Sequence, residues 1–414
     1  MRPESWPAVD SHWLPHEVRK LIVQPHDLDA LRFARYEFQI RAREATVLPP
    51  FLGTTLRGAF GNALKSISCS MPHGDCQRCL LVERCIYPRI FETTAGQSTG
   101  LLSQSKDAPR PFIFVPPLAV ADAGFLPARD DLLRFRVRVE RDQSIGFGLS
   151  LIGAAVDDLP YMIHAVSSMS QTGFGAERGR FVLEAVAMLD VNGNREVVYT
   201  PDQTFVQPHG QRETLGSLVR ARLAELRGTA LATAAQGEFA VATQGVSASV
   251  SAQLGESVIT AANPRVGLTM SDSRNSFESE PLGDELKLRF LTPTRLRIKR
   301  RLVEHPTFSQ LIGVLSLRLS MIAQTHGSGP LNYDYRTMLA RARDVVTRDS
   351  NLRLLALERR SNRQRTKLEI DGFTGDASFV GAAIAELLPL VVAGEFLHVG
   401  SGTAFGLGRY VILS

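Results

Sequence analysis

The chain has 414 residues, of which 44% are hydrophobic and 21% charged, with a formal net charge of +5. That length calls for two or three domains rather than one core, and the composition excludes disordered, collagenous and disulfide-scaffold classes. No run of about 18 apolar residues occurs, so no transmembrane helix and no membrane partner are expected; the polar start, Met1 to Asp10, lacks the plan of a secretory leader, and a cytoplasmic location is expected.

The charge is unevenly spread. Residues 285–414 carry +8 and residues 1–284 carry −3. A basic module on a near-neutral body points to a polyanionic partner, against the plainer reading of a solvated arginine-rich surface. All four cysteines, Cys69, Cys76, Cys79 and Cys85, fall within one short stretch. Clustering of this kind in a large chain points to metal rather than to disulfides.

In chain order, Leu31–Val47 reads as a strand closed by Pro49-Pro50, and Leu52–Ile67 as a helix with Leu56, Phe60 and Leu64 on one face. Gly53, Gly58 and Gly61 inside it suggest close approach of a neighbouring backbone. The cysteine stretch follows. Pro111–Pro117, Leu132–Arg141 and Phe147–Ile152 read as strands, the last two as a pair. Leu159–Ser170 reads as a helix, then Gly173 to Gly179 leads into a strand, Phe181–Leu189. Gln211–Arg227 is helical in pattern, whereas Gly228–Ala262 reads as a connector with weak strands, partly mobile. From Glu285 the pattern returns: strand Leu286–Lys299, helix Phe308–Ala323, strands Leu352–Leu357 and Thr366–Gly372 around a basic tip, helix Phe379–Val392, a glycine-rich loop and a last strand, Arg409–Leu413.

Both halves thus run β-α-β-β-α-β. The expected fold is α+β: two tandem ferredoxin-like (RRM-like) domains, residues 28–190 and 284–414, with a four-cysteine insertion (69–85) in the first and a long connector (191–283) between them.

A glycine-rich loop precedes the last strand of each unit. In the second, Gly400, Gly402, Gly406 and Gly408 allow close backbone approach, and loop amides can face a phosphodiester; the plainer alternative is a turn packed on the protein itself. The cysteine spacing C-x6-C-x2-C-x5-C fits four thiolates around a structural zinc, with an iron–sulfur cluster as the alternative. Among the basic groups, Arg359, Arg360, Arg363, Arg365 and Lys367 mark the hairpin tip, and strand alternation puts Arg295, Arg297 and Lys299 on one face. Arg57, Arg409 and the four glycines complete the candidate polyanion-binding set.

Five segments, in this order, resemble the CRISPR-associated RAMP proteins, specifically the endoribonucleases of the sixth Cas family: Leu48 to Gly61, the cysteine insertion continuing to Thr93, Phe290 to Leu296, His326 to Leu331, and His398 to Tyr410. The resemblance covers about residues 30–190 and 285–414. It implies binding of CRISPR repeat RNA and metal-independent cleavage of the precursor transcript. The ribose 2′-hydroxyl would attack the adjacent phosphorus, leaving a 2′,3′-cyclic phosphate and a 5′-hydroxyl. It also implies, as the alternative, a non-catalytic RAMP subunit that holds crRNA in an effector complex. A zinc- or cluster-dependent redox protein is a third class. Partners would be the RNA and other CRISPR effector subunits, with the chain monomeric or homodimeric.

Family enzymes often carry a catalytic histidine in or near the first helix. This chain has none between Leu52 and Ile67; it offers Lys65 there and His73 just beyond. His398, beside the glycine loop, is the first candidate for acid–base work and His326 the second, since imidazole titrates near neutrality. Relatives carry a lysine at the position of Ser401, so a possible phosphate cation is missing.

Overall fold

The computed structural model describes residues 22–71, 76–92, 108–117, 137–202, 213–242, 284–299, 301–361 and 366–413, the side chains of 77, 229–242, 356–361 and 366–370 excepted. The strands are β1 (Phe33–Ala42), β2 (Thr46–Leu48), β3 (Phe112–Val115), β4 (Val137–Val139), β5 (Ser144–Ile152), β6 (Phe181–Leu189), β7 (Arg195–Tyr199), β8 (Glu285–Thr294), β9 (Leu296–Ile298), β10 (Arg301–Val303), β11 (Val346–Ser361), β12 (Thr366–Val380) and β13 (Tyr410–Leu413). The helices are α1 (Gly53–Ser68), α2 (Ile86–Phe91), α3 (Leu159–Thr172), α4 (Leu215–Ala242), α5 (Phe308–His326), α6 (Tyr335–Arg343) and α7 (Ile384–Leu397).

The first sheet runs β3-β5-β1-β6-β7 and the second β11-β12-β8-β13, with antiparallel neighbours throughout. The four strands of each repeated unit therefore lie in the order second, third, first, fourth. That is one ferredoxin-like topology formed twice, as the order of elements predicts. β1 shows why one face closes: Tyr36, Phe38 and Ile40 are buried while Arg35, Glu37, Gln39 and Arg41 alternate outward. α1 and α3 supply Leu56, Phe60, Leu64, Met162 and Val166 to the first core; α5 and α7 supply Leu311, Leu315, Leu387 and Val391 to the second.

The structure differs from the pattern reading at four places. β5 pairs with β1 and β3, whereas the strand before it, β4, pairs with β2. Phe379 stays in β12 opposite Leu286, and the helix starts only after Gly381, at Ile384; the apolar run across that junction hides a change of period from two to 3.6. The alanine-rich stretch after Gly228 continues α4 to Ala242, in keeping with alanine's helix propensity. And residues 195–227 belong to the folded body: β7 extends the first sheet, while Leu215, Leu218, Val219 and Leu223 of α4 are buried with the second core. The rest of the connector, 203–212 and 243–283, lies outside the described residues.

The two units share an apolar seam. Phe33 meets Phe396 edge-on with centroids 6.3 Å apart, and Ile113 and Ile152 of the first sheet join the second core. α4 straddles both: Arg220 pairs with Asp29 at 2.8 Å and Arg222 with Glu395 at 3.1 Å. Glu395 also accepts from the Ile412 amide at 2.6 Å, and burial pushes its carboxyl pKa up against the pull of Arg222. Among the described residues no helix is long and apolar enough to cross a membrane.

Candidate functional site

RRM-like folds commonly stack bases on aromatic residues of the open sheet face. Here those faces carry ion pairs. Arg41 bonds Glu184 at 2.7 Å and Arg195 pairs with Glu37 on the first; Arg289 bonds Asp376 at 2.8 Å and Arg348 bonds Glu285 at 3.1 Å on the second. At one end the first face is covered by Phe396, with the Arg35 guanidinium 5.5 Å from its ring centroid. The positive charge that could meet a polyanion lies elsewhere, on the hairpin and along the seam.

β12 meets β8 from Phe373 onward, whereas residues 366–372 pair only with β11. β11 and β12 therefore leave the sheet as a two-stranded arm of about 20 Å. Asp371 at its root is held by Arg295 at 2.6 Å. Arg359, Arg360 and Lys367 lie in the arm's strands, and the register sets Arg360 directly opposite Lys367. Arg363 and Arg365, at the tip, fall outside the described residues.

Arg295, Arg297 and Lys299 do not share one strand face. Arg295 precedes β9 and is largely buried on Asp371, Arg297 is exposed in β9, and Lys299 sits at the turn with φ 49°. The alternation fails because the strand breaks at Arg295 and turns back into β10.

The glycine loop packs on the protein. Its four glycines have φ between 72° and 86°, in the left-handed region. A Cβ on Gly400 would strike the Arg295 carbonyl, and one on Gly408 the Val399 carbonyl. Gly406 lies against Pro116 and the Phe114 carbonyl of the first unit. Several loop amides are already committed: Ser401 N–H donates to Arg295 O at 3.0 Å, Gly408 N–H to Pro293 O at 3.1 Å, and Arg409 N–H to Thr292 Oγ1 at 2.9 Å. The exposed crest is Ser401. The Arg409 side chain is half-buried, and burial lowers its pKa.

His398 is 2% exposed, at the C-terminus of α7 with φ 59°. Its Nδ1 lies 3.2 Å from Leu407 O, and a carbonyl only accepts, so Nδ1 carries the proton. Burial, with Arg409 and Arg318 nearby, takes its pKa down to about 3. The ring is a neutral strut between helix and loop, out of reach of a phosphodiester in this arrangement. Because an unfolded histidine titrates near 6.5, the unfolded chain binds the extra proton first. The stability from this neutral imidazole is fully present above pH 6.5 and is lost as pH falls toward 3, at up to about 1.4 kcal/mol per pH unit. Chemical unfolding at pH 7.5 and pH 5 should show the gap between wild type and His398→Gln narrowing by about 2 kcal/mol at the lower pH. A gap that does not change with pH would mean that water reaches the ring.

His326 closes α5 and is only half-buried. Its Nε2 is 2.7 Å from Pro109 O, across the seam, which makes Nε2 the protonated nitrogen and leaves the lone pair on Nδ1. Burial, and then the positive charges of Arg318 and Arg110, push its pKa below the usual value. Arg318, on the same helix, donates from Nε to Leu397 O at 2.8 Å and His398 O at 3.1 Å, bracing the glycine loop's entry. Arg318 and Arg110 went unnoticed in the sequence; for Arg318 the available sign was a lone arginine on a helix, Phe308–His326, that has no other Lys, Arg, Asp or Glu.

Lys65 places its ammonium 5.5 Å from the Tyr87 ring centroid, beside the cysteine insertion. Arg57 stacks on Phe91 and Phe405 at 4.4 and 5.2 Å. His73 lies outside the described residues. The four cysteines are half-buried and free. Cys69 ends α1, Cys76 opens a short 3-10 turn, Cys79 follows it and Cys85 caps α2. Four thiols suit zinc chemically, but among the described residues no three potential ligands are drawn into metal-binding geometry.

Residues 288–410 match the family model of the CRISPR-associated endoribonuclease Cas6, and residues 31–211 match a family described as an N-terminal domain. An uncharacterized protein of Archaeoglobus fulgidus is 27% identical over 160 residues, which are 39% of this chain and 47% of that protein. The chain thus spans about half the length of the curated relative it matches. Among solved structures, Thermus thermophilus Cas6 is 15% identical with a TM-score of 0.43, over 92% of this chain and 99% of that one. A partial Cas6-RT-Cas1–Cas2 complex gives 10% and 0.45 over 94% and 47%, and a RAMP protein binding different RNA substrates gives 12% and 0.36 over 92% and 100%. All three are distant likenesses.

Proposed function

We propose that this chain, whose residues 288–410 match the family model of the CRISPR-associated endoribonuclease Cas6, is a Cas6/RAMP-type CRISPR protein that binds the repeat segment of CRISPR transcripts and cleaves it without metal. The observation that carries the RNA reading is the basic arm. The ribbon stands clear of its sheet, and residues 359–367 hold five Arg or Lys and no acidic residue, with Arg360 set opposite Lys367; phosphates of a bound RNA would take up that positive charge.

In the proposed reaction the 2′-hydroxyl loses its proton as its oxygen bonds to phosphorus, and the 5′-oxygen leaves with a proton. The products are a 2′,3′-cyclic phosphate and a 5′-hydroxyl. His326, neutral and with its lone pair on Nδ1, suits the base; Arg318 and Arg110 are the nearby cations for phosphorane charge. The non-catalytic reading, a subunit that holds crRNA beside other effector subunits, is favoured by one observation, the buried, neutral His398. Incubation with cognate repeat RNA in excess EDTA separates the two. A single cut ending in a cyclic phosphate supports the nuclease; intact, bound RNA supports the holding subunit.

A structural zinc on Cys69, Cys76, Cys79 and Cys85 belongs to the same proposal, with no part in the cleavage step. Purified protein should contain about one zinc per chain by elemental analysis, lost when all four thiols are changed to serine. Visible absorbance with iron would instead identify a cluster.

A further inference from the structure

α1 carries a stripe, Gly53, Arg57, Gly61, with its members four residues apart and so on one helix face. Each member meets something different. At Gly53 the missing side chain admits the Phe405 carbonyl of the glycine loop, from the second unit. At Gly61 it admits the Phe91 ring, at the end of α2, the helix that follows the cysteine insertion. Between them the Arg57 guanidinium lies 4.4 Å from the Phe91 centroid and 5.2 Å from the Phe405 centroid. The ladder continues on the insertion side, where Phe91 stacks on Tyr87 at 5.5 Å and α2 opens at Cys85. On the other side Phe405 ends the 3-10 turn Thr403–Phe405, inside the glycine loop. One planar cation thus faces two rings that belong to two different units.

We infer that Arg57 is a positioning residue that couples the cysteine insertion of the first unit to the glycine loop of the second, so that the state of the insertion sets the geometry of the loop. Only the consequence for RNA rests on the proposed function; the coupling itself does not. Arg57 acts through Phe405 rather than by touching substrate.

The test is amide hydrogen exchange over residues 400–408 of the full chain without RNA. Arg57→Ala should speed exchange there about tenfold, with partial recovery in Arg57→Lys, which keeps the charge but not the planar stack. Cys85→Ser should speed the same amides in the wild-type background and add nothing in the Arg57→Ala background, as expected for coupled sites. If Arg57→Ala does not fold, Phe405→Leu removes the ring face at similar volume and should act alike. With repeat RNA, Arg57→Ala should slow single-turnover cleavage about tenfold while Kd stays within about threefold. Exchange over 400–408 that is unchanged in the variants, or a Cys85→Ser effect of equal size in both backgrounds, overturns the coupling. Failure of the wild type to bind repeat RNA overturns the RNA reading and leaves the exchange result standing.

Discussion

Changing Arg359, Arg360, Arg363 and Arg365 together to glutamine should weaken repeat-RNA binding and flatten its salt dependence. Each phosphate neutralised on a single strand contributes about 0.7 to the slope of log K against log salt, so four lost contacts lower the slope by about 3. Between 50 and 200 mM salt the wild type should then lose roughly 50-fold more affinity than the variant. Because residues 366–372 pair only with β11, the substitutions lie away from both cores, and the melting temperature should stay close to that of wild type. A titration of Kd against salt decides it. Equal slopes would make the arm a solvated ribbon and move the RNA interface to Arg297, Lys299 and the Ser401 crest.

His326→Ala should reduce single-turnover cleavage about 10²–10⁴-fold, the usual range for losing a general base, while repeat-RNA affinity changes little. The pH profile gives the sign. The base is active when deprotonated, and its pKa lies below the usual histidine value. Wild-type cleavage should therefore persist to lower pH than an ordinary histidine would allow, falling only as pH drops through that lowered pKa. His326→Ala should abolish this acid limb. Full activity of the variant would return the role to His73 or Lys65, or to an open form of the loop that exposes His398.

The order of elements was legible in the sequence because alternation along strands such as Phe33–Ala42 and the helical spacing of Leu56, Phe60 and Leu64 reflect burial on one face, a local property. The tandem ferredoxin-like topology follows, since few sheet orders accommodate that sequence of elements. The glycine loop's place before the last strand was legible too, and so was the uneven charge. The extra reach of α4 was missed because composition rich in small residues reads as linker when no partner is visible.

What sequence alone determined, then, is the architecture and the uneven charge of its two units. Only the tertiary structure decided what each polar group faces. It turned the amides of the glycine loop toward Arg295, Pro293 and Thr292. It buried His398 against Leu407 and left His326 half-open on Pro109, reversing their order as candidates. It also set Arg57 between two rings from distant segments. The physical reason is common to all of these. A histidine's protonation and an arginine's role depend on desolvation and on tertiary partners, some of them far along the chain, as Pro109 is from His326 and Phe405 from Arg57, and spacing along the chain carries no record of either.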